Sequence, residues 1–120
     1  MYYKVCKRQN DQLTSALAGG GAQVSYALGQ TSTPPPWLEA REYGLLVFTS
    51  FERARRWARE WWDGQHRIFE CTVGELMPLP PCCSPFRVGY GGKLTPTRSP
   101  WPEGTMMVSS VTLKREREVW

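Results

Sequence analysis

The run from Leu45 to Asp63, LLVFTSFERARRWAREWWD, restricts the fold more than any other stretch of the chain. Leu45, Leu46, Val47 and Phe48 are uninterruptedly apolar, too few for a helix and preceded by Gly44, which predicts a strand buried on both faces and central in its sheet. Thr49 and Ser50 then offer hydroxyls to the free amides of a helix start, and Thr49 with Glu52 three residues later matches a capping box. Phe51, Ala54, Ala58, Trp61 and Trp62 recur at helical steps, so this stripe is expected to lie on the sheet, the two alanines allowing close approach. Asp63-Gly64 ends the helix. Arg53, Arg55, Arg56 and Arg59 fill its other faces, with Glu52 placed to pair with Arg56 at about 0.2–0.5 kcal/mol. Those arginines read either as a solvated face or as a surface for an anion or a partner.

Elsewhere the pattern is of short strands and loops. Residues 2–17 alternate on either side of Asn10-Asp11 and read as a hairpin. Gly19 to Gly21 interrupt the run, and Val24, Tyr26 and Leu28 then share one face of a third strand. Periodicity is lost over a first long loop at about 29–44, where TSTPPPW suggests a polyproline segment presenting Trp37, either as a lid on the core or as a stacking surface. Arg67 to Val73 alternates again, with Phe69, Cys71 and Val73 on one face and Ile68, Glu70 and Thr72 on the other. A second long loop covers about 76–103, its prolines excluding a central strand, and Thr105 to Leu113 gives the last strand before a charged tail. The expected fold is α+β: a single domain over residues 1–120, with one main helix covering a mostly antiparallel sheet of five to six strands.

A chain of 120 residues is long enough to bury roughly two thirds of its unfolded surface without staples. A net charge of +4 and a pI near 9.0 favour anionic partners but are too modest to require a nucleic acid. No segment has the length and apolarity of a membrane span, and MYYKVCKRQN lacks the apolar core of a signal peptide, so a cytoplasmic location is expected. The cysteines are Cys6, Cys71, Cys82 and Cys83, without metal-ligand spacing; buried reduced thiols are expected, with a redox role for Cys82-Cys83 as the alternative.

No catalytic constellation is visible, and neither a metal site nor a cofactor is expected. His66, the one histidine, stands in DGQHRIF with no nucleophile or acid at relay spacing and reads as a turn or surface residue. Most carboxylates flank arginines; Glu70, on a strand, is either part of a polar outer face or an acid for glycosyl or ADP-ribosyl transfer. GYGGK lacks the spacing of a phosphate loop. Binding fits the residues better. Between Phe86 and Trp101, Gly89, Gly91 and Gly92 let backbone amides approach a phosphate, while Arg87, Lys93 and Arg98 carry charge. Thr95, Thr97 and Ser99 donate hydroxyls there, and Phe86 or Tyr90 could stack on a base. Phe86, Arg87, Tyr90, Lys93, Thr97 and Arg98 are therefore the candidate ligand residues, joined by Ser109 and Ser110, which interrupt the last strand as a ligand contact or a hydrogen-bonded edge.

The order of words along the chain carries a resemblance. A Tyr3-Lys4-Val5 opening strand, Leu13-Thr14-Ser15-Ala16, Tyr26-Ala27-Leu28-Gly29, LLVFTSFERARRWA, RIFECTV, MPLP and WPEGTMMVSSVTL resemble small bacteriophage proteins of the Thoeris anti-defence sponge type. The resemblance implies a non-enzymatic protein, cytosolic in the host cell, that sequesters a small anionic cyclic nucleotide signal of the cyclic ADP-ribose or cyclic oligonucleotide type. It also implies a homo-oligomer with the ligand between protomers, and no membrane or stable nucleic-acid partner. Holding a signal at nanomolar levels requires about 12 kcal/mol, more than one guanidinium–phosphate contact supplies. Two other readings compete: an inhibitor of a host defence protein acting through the arginine-rich helix and Trp37, and a small ADP-ribose-processing enzyme using Glu70 or His66.

Overall fold

The computed structural model describes residues 1–18, 23–80 and 101–120. Its strands are β1 (Tyr2–Gln9), β2 (Gln12–Ser15), β3 (Ser25–Tyr26), β4 (Thr31–Ser32), β5 (Leu45–Phe48), β6 (His66–Val73), β7 (Leu76–Met77), β8 (Thr105–Val108) and β9 (Val111–Arg117). The helices are α1 (Pro36–Glu39) and α2 (Phe51–Glu60). All pairings are antiparallel, in the order β4-β9-β6-β1-β5-β8-β7, with β2 and β3 extending from β1. The α+β class and the antiparallel sheet agree with the sequence reading, whereas the strands, nine among the described residues, exceed the expected five or six.

The excess has a physical origin in the last strand. Thr105 to Leu113 is two strands, not one, broken at Ser109-Ser110: β8 pairs with β5, while β9 pairs with β6 on the other flank. Because β6 joins β1 and β1 joins β5, this two-residue step curls the sheet into an almost closed ring. The backbone is satisfied across the corner: the Gly74 amide donates to the Ser110 carbonyl at 3.0 Å, and the Ser109 amide to the Glu75 carbonyl at 2.9 Å.

Alternation along the ring strands builds two cores. Val5, Leu46, Phe48, Ile68 and Met107 point toward α2, meeting Ala54 and Ala58; Cys6, Leu45, Val47, Phe69, Cys71, Val108, Val111 and Leu113 point inside the ring. Leu45 to Phe48 is buried on both faces as predicted, but the strand with the most neighbours is β1, which pairs with β2, β5 and β6. Ile68 is buried too, so β6 does not keep the polar outer face its sequence suggests. Lys4 lies inside the ring, 2% exposed, with its ammonium donating to the Leu46 carbonyl at 2.6 Å and standing 5.1 Å from the Tyr26 ring centre. That bond and the aromatic face offset part of the cost of burying its charge.

The remaining local expectations divide similarly. The hairpin of residues 2–17 is present, with Asn10 and Asp11 both at positive φ as its tight turn requires. Tyr26 is buried, but Leu28 is exposed and lies beyond β3. Helix α2 is capped by Ser50, whose hydroxyl accepts from the Arg53 amide at 3.2 Å; the expected Thr49–Glu52 box is not the cap. The helix ends at Glu60, so Trp61 and Trp62 fall past its regular turns and are exposed rather than on the core stripe. Trp57 takes their place, packing 6.1 Å from Phe48. In the proline tract, Pro36 opens α1, a position where its missing amide costs nothing. Trp37 is half-buried against the core, with Arg41 over its ring at 5.6 Å.

Two measurements test this packing. A methyl group added at Gly44 would fall on the Val108 carbonyl and the Met77 sulfur, so Gly44→Ala should cost about 1–3 kcal/mol in urea unfolding, and an unchanged midpoint would contradict the β5–β8 contact. Cys6 and Cys71 are free and buried, and burial pushes their pKa values up to about 12 and about 11. Unfolded thiols ionise first as pH rises, so stability should fall from about pH 8.5 upward, an alkaline decline that Cys6→Ala with Cys71→Ala should reduce.

Candidate functional site

A half-open cleft of about 590 Å³ lies between α2, the β1–β2 hairpin and the segment entering β8. Trp57 and Trp61, four residues apart, form one wall, and Trp101 lies on the other. Trp101 is held by its indole N–H, which donates to the Pro80 carbonyl at 2.6 Å. Three cations line the cleft, and two are already paired: Lys7 with Asp63 at 3.5 Å and Arg53 with Glu103 at 3.0 Å. Arg56 makes no ion pair or hydrogen bond with the described residues and stands exposed beside Glu60. The cleft is therefore aromatic and nearly charge-balanced, with one guanidinium uncommitted.

His66 forms the inner end of this cleft, correcting its expected place in a surface turn: it opens β6 and is 2% exposed. Its Nδ1 lies 3.2 Å from the Ala58 carbonyl, in the last turn of α2, and must carry the proton, since a carbonyl only accepts. The Trp62 amide donates to Arg59 instead, so His66 supplies the partner that the helix leaves for Ala58. The ring also stacks on Trp57, with centres 5.2 Å apart, and meets Trp62 edge-on. Its Nε2 is 3.9 Å from Asp63. Partial burial raises the pKa of the Asp63 carboxyl, but the Gln65 amide, His66 and Lys7 together hold it below its ordinary value.

The other candidates are placed as follows. Phe86, Arg87, Tyr90, Lys93, Thr97, Arg98 and the Cys82-Cys83 pair lie outside the described residues. Ser109 and Ser110 form the ring corner, where the Ser109 hydroxyl accepts from the Glu75 amide at 2.8 Å. Glu70 receives Arg115 at 2.6 Å and Arg117 at 3.2 Å; those hydrogen bonds, led by Arg115, hold its carboxyl below the ordinary range. Of the helix arginines, Arg55 and Arg59 both donate to the Val119 carbonyl, which ties them to the chain's own C-terminal segment. Among the described residues, no group of three or more His, Cys, Asp and Glu could hold a metal, and no helix is long and apolar enough to cross a membrane.

The cleft was only partly readable from sequence. The sequence reading assigns Trp61 to the core stripe and does not single out Trp57, while Lys7 and His66 reach the site through strand pairing, Lys7 lying opposite His66 in the β1–β6 register, and Trp101 through its bond to Pro80. Comparison with protein-family models, curated proteins and solved structures gives no match. His66→Ala should leave the Ala58 carbonyl without its donor and remove a packed ring, costing about 2–4 kcal/mol in chemical unfolding. Loss of under 0.5 kcal/mol would show that the histidine does not hold the end of α2.

Proposed function

We propose that this chain is a non-enzymatic binding protein for a small phosphate-bearing ligand with a planar base, of the cyclic nucleotide class, held in the tryptophan cleft. The observation that carries this reading is the set of three indoles, from two segments, around about 590 Å³ with the uncommitted Arg56 at their edge. Indole faces stack on a base at about 1–3 kcal/mol each, a guanidinium binds phosphate oxygens in pairs, and Glu60 can accept from ribose hydroxyls or an exocyclic amine. The volume is in the range of small-molecule sites, about 300–1,000 Å³. Sequestration of an immune signal as a phage anti-defence protein follows from the sequence resemblance. The open side of the cleft suits a ligand shared with a second copy in a homo-oligomer.

Several features favour holding the ligand over transforming it. Asp63 is engaged by Lys7, the Nδ1 of His66 is committed to a backbone carbonyl, and Glu70 is fixed between two arginines. The buried thiols Cys6 and Cys71 are far from ionising at neutral pH, as a nucleophile would need to. Of the arginine-rich helix and Trp37 that the protein-inhibitor reading uses, Arg55 and Arg59 each commit Nε to the Val119 carbonyl and Trp37 is half-buried against the core.

Titration calorimetry with cyclic mononucleotides, cyclic dinucleotides and cyclic ADP-ribose isomers tests this. At least one should bind. Trp61→Ala and Arg56→Ala, both at exposed positions, should each weaken it about tenfold or more with unchanged melting, consistent with the loss of one stacking or charged contact. Binding unchanged in both variants would remove the cleft from the reading, and no binding by the unaltered protein across the panel would overturn it.

A further inference from the structure

On the other flank of α2, two guanidinium groups meet without a counter-ion. Arg55 donates from Nε to the Val119 carbonyl at 2.9 Å, and Arg59 donates from Nε to the same oxygen at 2.7 Å. Two like charges sharing one acceptor repel, and neither has an ion-pair partner among the described residues. Both are fixed in orientation: Arg55 lies 5.7 Å from the Phe51 ring centre and Arg59 4.9 Å from that of Trp120. Each is held through Nε alone, so the Nη groups of both keep unspent donors.

The surroundings strengthen this imbalance. Arg55 lines a cleft of about 470 Å³ together with Arg115, Arg117 and the exposed indole of Trp120. Glu70 compensates Arg115 and Arg117 jointly with a single carboxylate, and Arg117 also packs on Phe51, 4.2 Å from its ring centre. Of the two glutamates on the rim, Glu116 is paired with Arg8, and Glu118 is exposed without an ion pair among the described residues. Several preorganised guanidinium groups with too few carboxylates, beside an apolar wall, are what a phosphoryl group needs: paired N–H donors, positive charge and little ordering cost on binding.

We propose that the cleft between α2 and β9 is a second, anion-binding site that takes a phosphoryl group on Arg55, with Arg59 adjoining it at the shared Val119 carbonyl and Trp120 as its apolar wall. It is separate from the tryptophan cleft and does not depend on what that cleft binds. Inorganic phosphate and a phosphate ester share the recognising chemistry. The wall distinguishes them, because only an ester carrying an aromatic group gains from Trp120.

The test is an NMR titration of the whole unaltered chain, following arginine Nε–H and indole N–H resonances. Inorganic phosphate should shift the Arg55 and Arg59 Nε–H signals saturably and leave those of Trp57 and Trp61 in place, with affinity falling as sodium chloride is added. A nucleoside 5′-monophosphate that binds more tightly than phosphate and also shifts Trp120 assigns the site to an aromatic phosphate ester; equal affinity assigns it to the phosphoryl group alone. Arg55→Gln, checked for an unchanged fold by the methyl spectrum, should weaken phosphate at least tenfold. Arg55 and Arg59 signals that do not move up to tens of millimolar phosphate, or shifts confined to the tryptophan cleft, would overturn the proposal.

Discussion

Ser109 and Ser110 carry the chain from one flank of the sheet to the other, and the closure of the ring depends on backbone groups finding partners across that corner. A two-residue step between β8 and β9 leaves no room for a loop, so Gly74 and Glu75 in the short connection between β6 and β7 must meet it directly. A Cβ at Gly74 would collide with both serine hydroxyls, which is why the partner position carries no side chain. Once the ring closes, the alternation of each strand sorts residues into an inner core and an outer core against α2. The helix is then fixed over β1, β5 and β6 by Ala54 and Ala58, both fully buried. The two clefts are the flanks of that helix.

The flanks differ because the chain spends its cations differently on each. Toward the β1–β2 hairpin, Lys7 and Arg53 face Asp63 and Glu103, leaving an aromatic surface of nearly balanced charge. Toward β9, four arginines share fewer carboxylates, and two of them donate to one backbone carbonyl. His66 links this arrangement to the core, since it satisfies the end of α2, stacks on Trp57 and borders Asp63. A buried polar side chain with that many contacts holds the tryptophan wall in one orientation.

What was legible in the sequence was local. The apolar run Leu45–Phe48, the amphipathic stretch after it and the Asn10-Asp11 hairpin each announce themselves within a few residues, and each is present. What was hidden depends on long-range pairing. Nothing near His66 shows that Ala58 needs a donor, and nothing in TMMVSSVTL shows that its two halves pair with different strands. Trp61 and Trp62 satisfied helical periodicity but lie past the last regular turn, so the period alone overextended the core. The glycine-rich stretch draws attention by composition and lies outside the described residues, whereas the tryptophan cleft is assembled from α2, β1 and the residues around Trp101, which no local pattern brings together.

The reading as a binding protein turns on whether a ligand is held and returned unchanged. Native mass spectrometry of the purified protein with cyclic nucleotides and cyclic ADP-ribose isomers, followed by heat release, reports both at once. The account predicts a complex whose added mass equals that of one panel member and whose released ligand has the mass at which it entered. A released product of altered mass would contradict it by showing chemistry in the cleft, and a protein that carries no panel member would contradict it by leaving the three indoles without the ligand assigned to them.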